Sequence, residues 1–301
     1  MRRPSRALVA AAVLPVLALS ACGGSTEPER ESAPPTSSTA TASTSTTTAS
    51  ASPSRPTSAR GDRVVWAALG DSYASGTGTG RYDVDGPCMR GTRAYPELLA
   101  ARDRAVDLTF LACAGATTDD VLTRQVPQVP RDADVVTISV GGNDAGFFGA
   151  VPLCLSEDQE KACLDRLATM RSTAPGTIGP ALSTTYAAVA RRAPRARIVA
   201  IDYPQPFSDG RACAAAQGVS AREAKALDRA VAAVNEVIER RAKAAGVTYV
   251  PTAERFRGHG VCARTPWVNG LTSEWTELYH PSAAGHRDGF GPLVAPHLRR
   301  S

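Results

Sequence analysis

The chain has little with which to hold a metal. None of its seven cysteines forms a C-x-x-C pair, and its four histidines (His259, His280, His286 and His297) stand apart from them in sequence. That spacing argues against a zinc site, so no metal is expected. A large excess of charge of one sign is also missing. The 34 basic and 29 acidic residues give a net charge of +5, and three of the basic ones, Arg2, Arg3 and Arg6, lie in a leader; without them the net is +2. No long-range attraction for nucleic acid follows. Large apolar side chains are absent between Ala33 and Ser58, where every residue except Arg55 is Ala, Pro, Ser or Thr. Such a stretch cannot bury enough surface to offset its ordering entropy and reads as a disordered tether.

What the N-terminus does contain is a basic start, a short apolar run from Ala7 to Leu19, and Leu19-Ser20-Ala21-Cys22. The run is too short to span a bilayer, and the pattern is that of a secretory signal peptide. The cysteine directly after the cut resembles a bacterial lipobox. Residues 1–21 are therefore expected to be a lipoprotein signal, 22–61 the lipidated Cys22 with its linker, and 62–301 the folded domain. Export and attachment to the outer membrane face by a lipid anchor alone are expected. The other six cysteines, Cys88, Cys113, Cys154, Cys163, Cys213 and Cys262, are an even set in an exported domain and suggest disulfides, with 15 possible connectivities.

From Arg63 onward short apolar runs alternate with helical stretches. Val64 to Leu69, Val106 to Ala112, Val135 to Val140, Ile198 to Asp202 and Val247 to Val250 read as buried strands of a parallel sheet. Ser220 with Glu223 forms a capping box that opens a helix ending near Ala245 before Gly246, with Ala224, Leu227, Val231, Val234 and Ile238 on one face. Arg93 to Arg102, Glu157 to Met170 and Gly179 to Arg192 are further predicted helices. The alternation predicts one doubly wound α/β domain with its site at the carboxyl ends of the strands.

The first strand runs into Gly70-Asp71-Ser72, the second into Cys113-Ala114-Gly115, and the third into Gly141-Gly142-Asn143-Asp144. Near the end stands Glu277-Leu278-Tyr279-His280-Pro281, with Gly285-His286 beyond it. The serine is not in a G-x-S-x-G elbow, because the last position is Ala74. The Gly76-Thr77-Gly78-Thr79-Gly80 stretch lacks dinucleotide-loop spacing and reads as a flexible loop. A serine hydroxyl needs a neighbouring imidazole to take its proton, and a tetrahedral oxyanion needs fixed N–H donors. A glycine lets the backbone approach the substrate, and an asparagine is a neutral donor. Asp71 and Asp144 read as loop-pinning turn residues. His286 is expected to orient its loop, and His259 and His297 to be structural or surface residues.

In order and content these four blocks resemble the SGNH/GDSL hydrolase superfamily across the whole globular part, and the cysteines with the export signal are similar to its secreted actinomycete esterase and lipase branch. The resemblance implies a three-layer flavodoxin-like fold of about five strands and ester hydrolysis without cofactor by a chain expected to be monomeric. It implies Ser72 as nucleophile and His280 as general base. The oxyanion donors would be Ser72, Gly115 and Asn143. Substrates would be esters of lipids or acylated small molecules. The position usually held by an aspartate is Glu277, so Glu277 is a candidate third member, with a backbone carbonyl as the alternative. The stretch from Phe147 to Pro180 is expected to wall the acyl pocket. The strand map, with the three bridges of that branch, predicts Cys88–Cys113, Cys154–Cys163 and Cys213–Cys262. A carbohydrate deacetylase-type esterase would use the same residues, and a lipid-anchored binding protein is the non-enzymatic alternative.

Overall fold

The computed structural model describes residues 63–208 and 210–299. The expected signal peptide, Cys22 and the expected linker lie outside the described residues. Five parallel strands, β1 (Val64–Gly70), β2 (Val106–Phe110), β3 (Val135–Ser139), β4 (Arg197–Ile201) and β5 (Thr248–Val250), form one sheet in the order β2-β1-β3-β4-β5. Helices cover both of its sides. All five predicted strands are present, each displaced from its expected ends by no more than two residues. β2 shows the largest difference. It stops at Phe110 because Leu111 and Ala112 both donate to the Ala68 carbonyl and turn the chain toward the site.

The register sets Trp66 between Leu108 of β2 and Val135 of β3, so β1 is the interior strand from which the strand order reverses direction. Such reversals open a crevice beyond the carboxyl ends of the strands. The apolar content of β1 and β3 follows from that interior place: Trp66, Ala67, Leu69, Val136 and Ile138 are all fully buried. On the edge strand β2, by contrast, Asp107 is exposed.

The helices that frame the site are α1 (Ser72–Ser75), α2 (Tyr95–Arg102), α3 (Thr118–Asp120), α4 (Phe147–Cys154), α5 (Glu160–Arg192) and α6 (Ala221–Ala244). α6 begins with the expected reciprocal cap: Ser220 Oγ accepts from Glu223 N at 3.2 Å, and Glu223 Oε2 accepts from Ser220 N at 2.9 Å. The two helices predicted between Glu157 and Arg192 are instead one. α5 runs unbroken through Pro175 and Pro180. A proline inside a helix costs about 3 kcal/mol. The stripe Met170, Ala174, Ile178 and Leu182 is buried, and α5 packs along α6, which together supply apolar burial enough to outweigh that local preference.

Three disulfides join Cys88 to Cys113, Cys154 to Cys163 and Cys213 to Cys262, across 25, 9 and 49 residues of sequence. Cys88–Cys113 ties the segment after β1 to the turn after β2. Cys154–Cys163 locks the end of α4 to α5. Among the described residues no helix is long and apolar enough to cross a membrane.

Candidate active site

At the end of β1 the backbone must turn beneath β3. Gly70 has φ of +132°, and a Cβ there would stand 2.2 Å from the Ser139 carbonyl oxygen, so only glycine fits. Gln125 clamps this residue from both sides, accepting from its N–H at 2.8 Å and donating to its carbonyl at 2.9 Å. Asp71 then caps α1 by accepting from Tyr73 N at 3.0 Å, which sets Ser72 as the first residue of that single turn. Ser72 Oγ lies 2.8 Å from His280 Nε2, although 208 residues separate the two.

The other imidazole nitrogen, His280 Nδ1, lies 3.1 Å from the Leu278 carbonyl oxygen. A carbonyl can only accept, so Nδ1 carries the proton and the Nε2 lone pair faces the serine hydroxyl. Tyr279, at φ +59°, makes this return possible by turning the chain back on itself. A non-glycine residue in that region costs of order 1 kcal/mol, and three hydrogen bonds hold it. Its N–H donates to the Asn269 carbonyl at 3.0 Å, its hydroxyl to the Ala216 carbonyl at 3.2 Å, and its own carbonyl accepts from Tyr73 Oη at 2.8 Å. Burial pushes the His280 pKa down to about 4, against a smaller opposing effect of the Leu278 carbonyl. The imidazole is therefore a neutral base at pH 7.

Gly115 and Asn143 line the same open cleft as Ser72 and His280. The Asn143 amide donates one N–H to the Ala116 carbonyl at 2.9 Å, which leaves its second N–H for a ligand. Among the described residues no acceptor is paired with the N–H of Ser72 or of Gly115. Asp144 accepts from Thr118 N at 3.0 Å and from Thr118 Oγ1 at 2.5 Å, pinning the loop that carries Gly115 against the one that carries Asn143.

Residues 68–287 match the model of the GDSL-like Lipase/Acylhydrolase family. The chain belongs to this family. A lipase of Streptomyces rimosus is 38% identical over 230 residues, covering 76% of this chain and 85% of that protein. The crystal structure of an extracellular lipase from Streptomyces rimosus superposes with a TM-score of 0.74 at 36% identity, over 78% of this chain and 99% of that one. A phospholipase A1 structure from Streptomyces albidoflavus gives a TM-score of 0.72 at 34% identity, over 78% and 99%. Membership makes this lipase/acylhydrolase a carboxylic ester hydrolase of the serine type.

Glu277 stands apart from the imidazole in this family member. Its carboxylate accepts a short hydrogen bond from Tyr82 Oη, and the Leu278 carbonyl, a backbone carbonyl being the alternative partner, lies against His280 Nδ1. The cause is the tight turn at Trp275–Glu277 followed by the left-handed Tyr279, which swings Nδ1 toward the backbone. The same Tyr82 hydroxyl accepts from Gly78 N at 3.0 Å, so the glycine-rich loop expected to be flexible is latched to the His280 loop. A Cβ on Gly78 would meet the Pro281 carbonyl at 2.6 Å and His280 Cβ at 2.8 Å, which accounts for glycine at that position.

His286 accepts from Tyr95 N at 3.2 Å and so caps α2. His259 is stacked on Trp267 at 3.7 Å, and the His297 carbonyl accepts from Arg197. Among the described residues one group could gather metal ligands, Cys154, Cys163 and Glu223, but the two sulfurs are joined to each other. Tyr203 is a site residue that the sequence motifs missed. Its hydroxyl donates to Asp71 Oδ2 at 2.5 Å and accepts from Gly142 N at 3.0 Å, linking the Ser72 turn to the Asn143 loop. Burial raises the Asp71 carboxyl to about 7. Its position just past β4, at the site end of the sheet, was the signal available.

Proposed function

We propose that Ser72 is the nucleophile and His280 the general base of an esterase acting on lipid-type carboxylic esters. The 2.8 Å contact between Ser72 Oγ and a buried, neutral, carbonyl-oriented imidazole carries this reading. As Oγ bonds to the acyl carbon its proton passes to His280 Nε2, and the carbonyl oxygen becomes the oxyanion. The N–H groups of Ser72 and Gly115 and the free N–H of Asn143 receive that charge. Collapse expels the alcohol, which takes the proton from His280; water, activated by the same nitrogen, then releases the acid. The proposed orienting partner is the Leu278 carbonyl, giving a dyad rather than a triad, and no cofactor enters any step.

Two cavities meet at Ser72. One is narrow and apolar, walled by Phe147, Met170, Val231 and Val234, and is assigned to the acyl chain. The other, open and lined by Thr77, Met89, Trp275 and Thr276, suits the alcohol. The apolar lining of the acyl slot favours lipid-type acyl chains over acetylated sugars. The similarity to a phospholipase A1 supports the same substrate class. Phe147 and Met170 come from the stretch expected to wall the pocket, and Val231 and Val234 come from α6.

The leader and Cys22 support export with a lipid anchor, and the similarity to an extracellular lipase supports export. A monomer is the working unit proposed. Ser72→Ala is expected to abolish hydrolysis of p-nitrophenyl butanoate and labelling by a fluorophosphonate while leaving the circular dichroism spectrum unchanged. Retained activity would show that the nucleophile lies elsewhere. Cys22→Ala is expected to remove the protein from the detergent phase; unchanged partitioning and N-terminal mass would remove the anchor from the scheme.

A further inference from the structure

Phe148 stands where the two cavities meet. Both are lined by Ser72, Asn143 and Phe148; the first two are the proposed reacting groups, and Phe148 is the third shared wall. Its ring lies over the His280 imidazole, with centroids 5.0 Å apart and planes 18° apart, and it meets Phe147 edge-on at 6.0 Å. The backbone holds it there from both sides. Ala145 N donates to Gly141 O at 3.0 Å and Phe147 N to Gly142 O at 3.2 Å, tying the start of α4 to the Asn143 loop. The Cys154–Cys163 bridge fixes its far end.

We propose that Phe148 is the partition between acyl slot and alcohol cleft, that it restricts the enzyme to esters of straight-chain acids, and that the same ring screens His280 from water. This inference rests on the Ser72–His280 reading above. An ester carbonyl set between Ser72 Oγ and the Asn143 amide places its neighbouring carbon beside the Phe148 ring. On this reading the acyl chain runs from that carbon toward Met170 and Val234, which line the first cavity. A branched or quaternary carbon there meets the ring. On its other face the ring contributes to the burial that keeps the imidazole uncharged.

The groups around His280 that could blur a pH test are few. Tyr73 lies 5.0 Å away on α1, Asp71 before Ser72 is raised by burial to about 7 and held by Tyr203, His286 follows in the next helical turn, Glu277 is engaged by Tyr82, and α4 itself carries no charge, with Arg166 behind it at Gly146 and Gly149.

The test compares the native enzyme with Phe148→Ala and Phe148→Leu on p-nitrophenyl butanoate and p-nitrophenyl 2,2-dimethylpropanoate. The ratio of kcat/KM for the branched over the straight ester is expected to rise roughly tenfold or more in Phe148→Ala and less in Phe148→Leu. The acid limb of kcat/KM, set at about 4 in the native enzyme by the buried imidazole, is expected to move up toward 6.5 in Phe148→Ala. A ratio unchanged in both variants, or an acid limb unmoved in Phe148→Ala, overturns the proposal. Fluorophosphonate titration of the same preparations keeps the two readings apart. Variants that label fully with an unchanged ratio refute the partition alone, whereas a native enzyme that does not label at Ser72 refutes the reading beneath it.

Discussion

Replacing Glu277 by glutamine distinguishes a catalytic carboxylate from a structural one. In the structure that carboxylate accepts from Tyr82 Oη, and the His280 Nδ1 proton goes to the Leu278 carbonyl at 3.1 Å. Glutamine keeps an acceptor oxygen of the same reach, so the Tyr82 bond survives as a neutral one. A hydrogen bond to a charged group contributes about 1.5–3 kcal/mol and a neutral one about 0.5–1.5, so the loss is about 1 kcal/mol. If all of it appeared in the barrier, the rate would fall about fivefold. Most of it is expected in stability, because Tyr82 latches a loop rather than a reacting atom. A carboxylate that orients the catalytic imidazole behaves differently: in a serine protease its loss costs about 10,000-fold. The assay is kcat/KM on p-nitrophenyl butanoate at fixed pH for Glu277→Gln beside His280→Ala. A Glu277→Gln loss approaching that of His280→Ala would refute the carbonyl-oriented dyad and establish a triad.

Two further outcomes follow from the same geometry. Asn143→Ala removes one of three proposed oxyanion donors and is expected to lower kcat by roughly 100- to 1000-fold with little change in KM; a KM effect alone would contradict that role. Acid stability depends on the two buried imidazoles, held by burial at about 4 for His280 and about 3 for His286 against 6.5 in the unfolded chain. Because the unfolded chain binds these protons first, their contribution is complete above pH 6.5 and is lost as pH falls toward 4 and 3. Asp71, raised by burial to about 7, acts in the opposite direction between about 7 and 3.8 and offsets part of the loss. His286→Gln isolates one imidazole: in urea denaturation the stability gap between native and variant should shrink by about 2 kcal/mol from pH 6.5 to 4.5. Parallel pH profiles would disprove the neutral buried state of His286.

The positions of the strands and of α6 were legible because their signals are local. An apolar run such as Val135 to Ser139 reports its burial directly, and Ser220 with Glu223 carries both halves of a helix cap within four residues. The same holds for the motif residues Ser72, Gly115, Asn143 and His280, each next to a turn or strand end that can be read in one dimension. Local preference also misled, as at Pro175 and Pro180, where packing against α6 outweighed the chain-breaking tendency and made one helix of two. Only the strand order β2-β1-β3 brought three of those turns around one crevice, a consequence of long-range pairing that no window of sequence contains. The orienting partner of His280 was beyond the sequence because every residue offers a carbonyl. The left-handed Tyr279, held by Tyr73, Asn269 and Ala216, selected that of Leu278. Tyr203 and Phe148 likewise gained their places through contacts spanning more than 130 residues, with Asp71 in one case and His280 in the other.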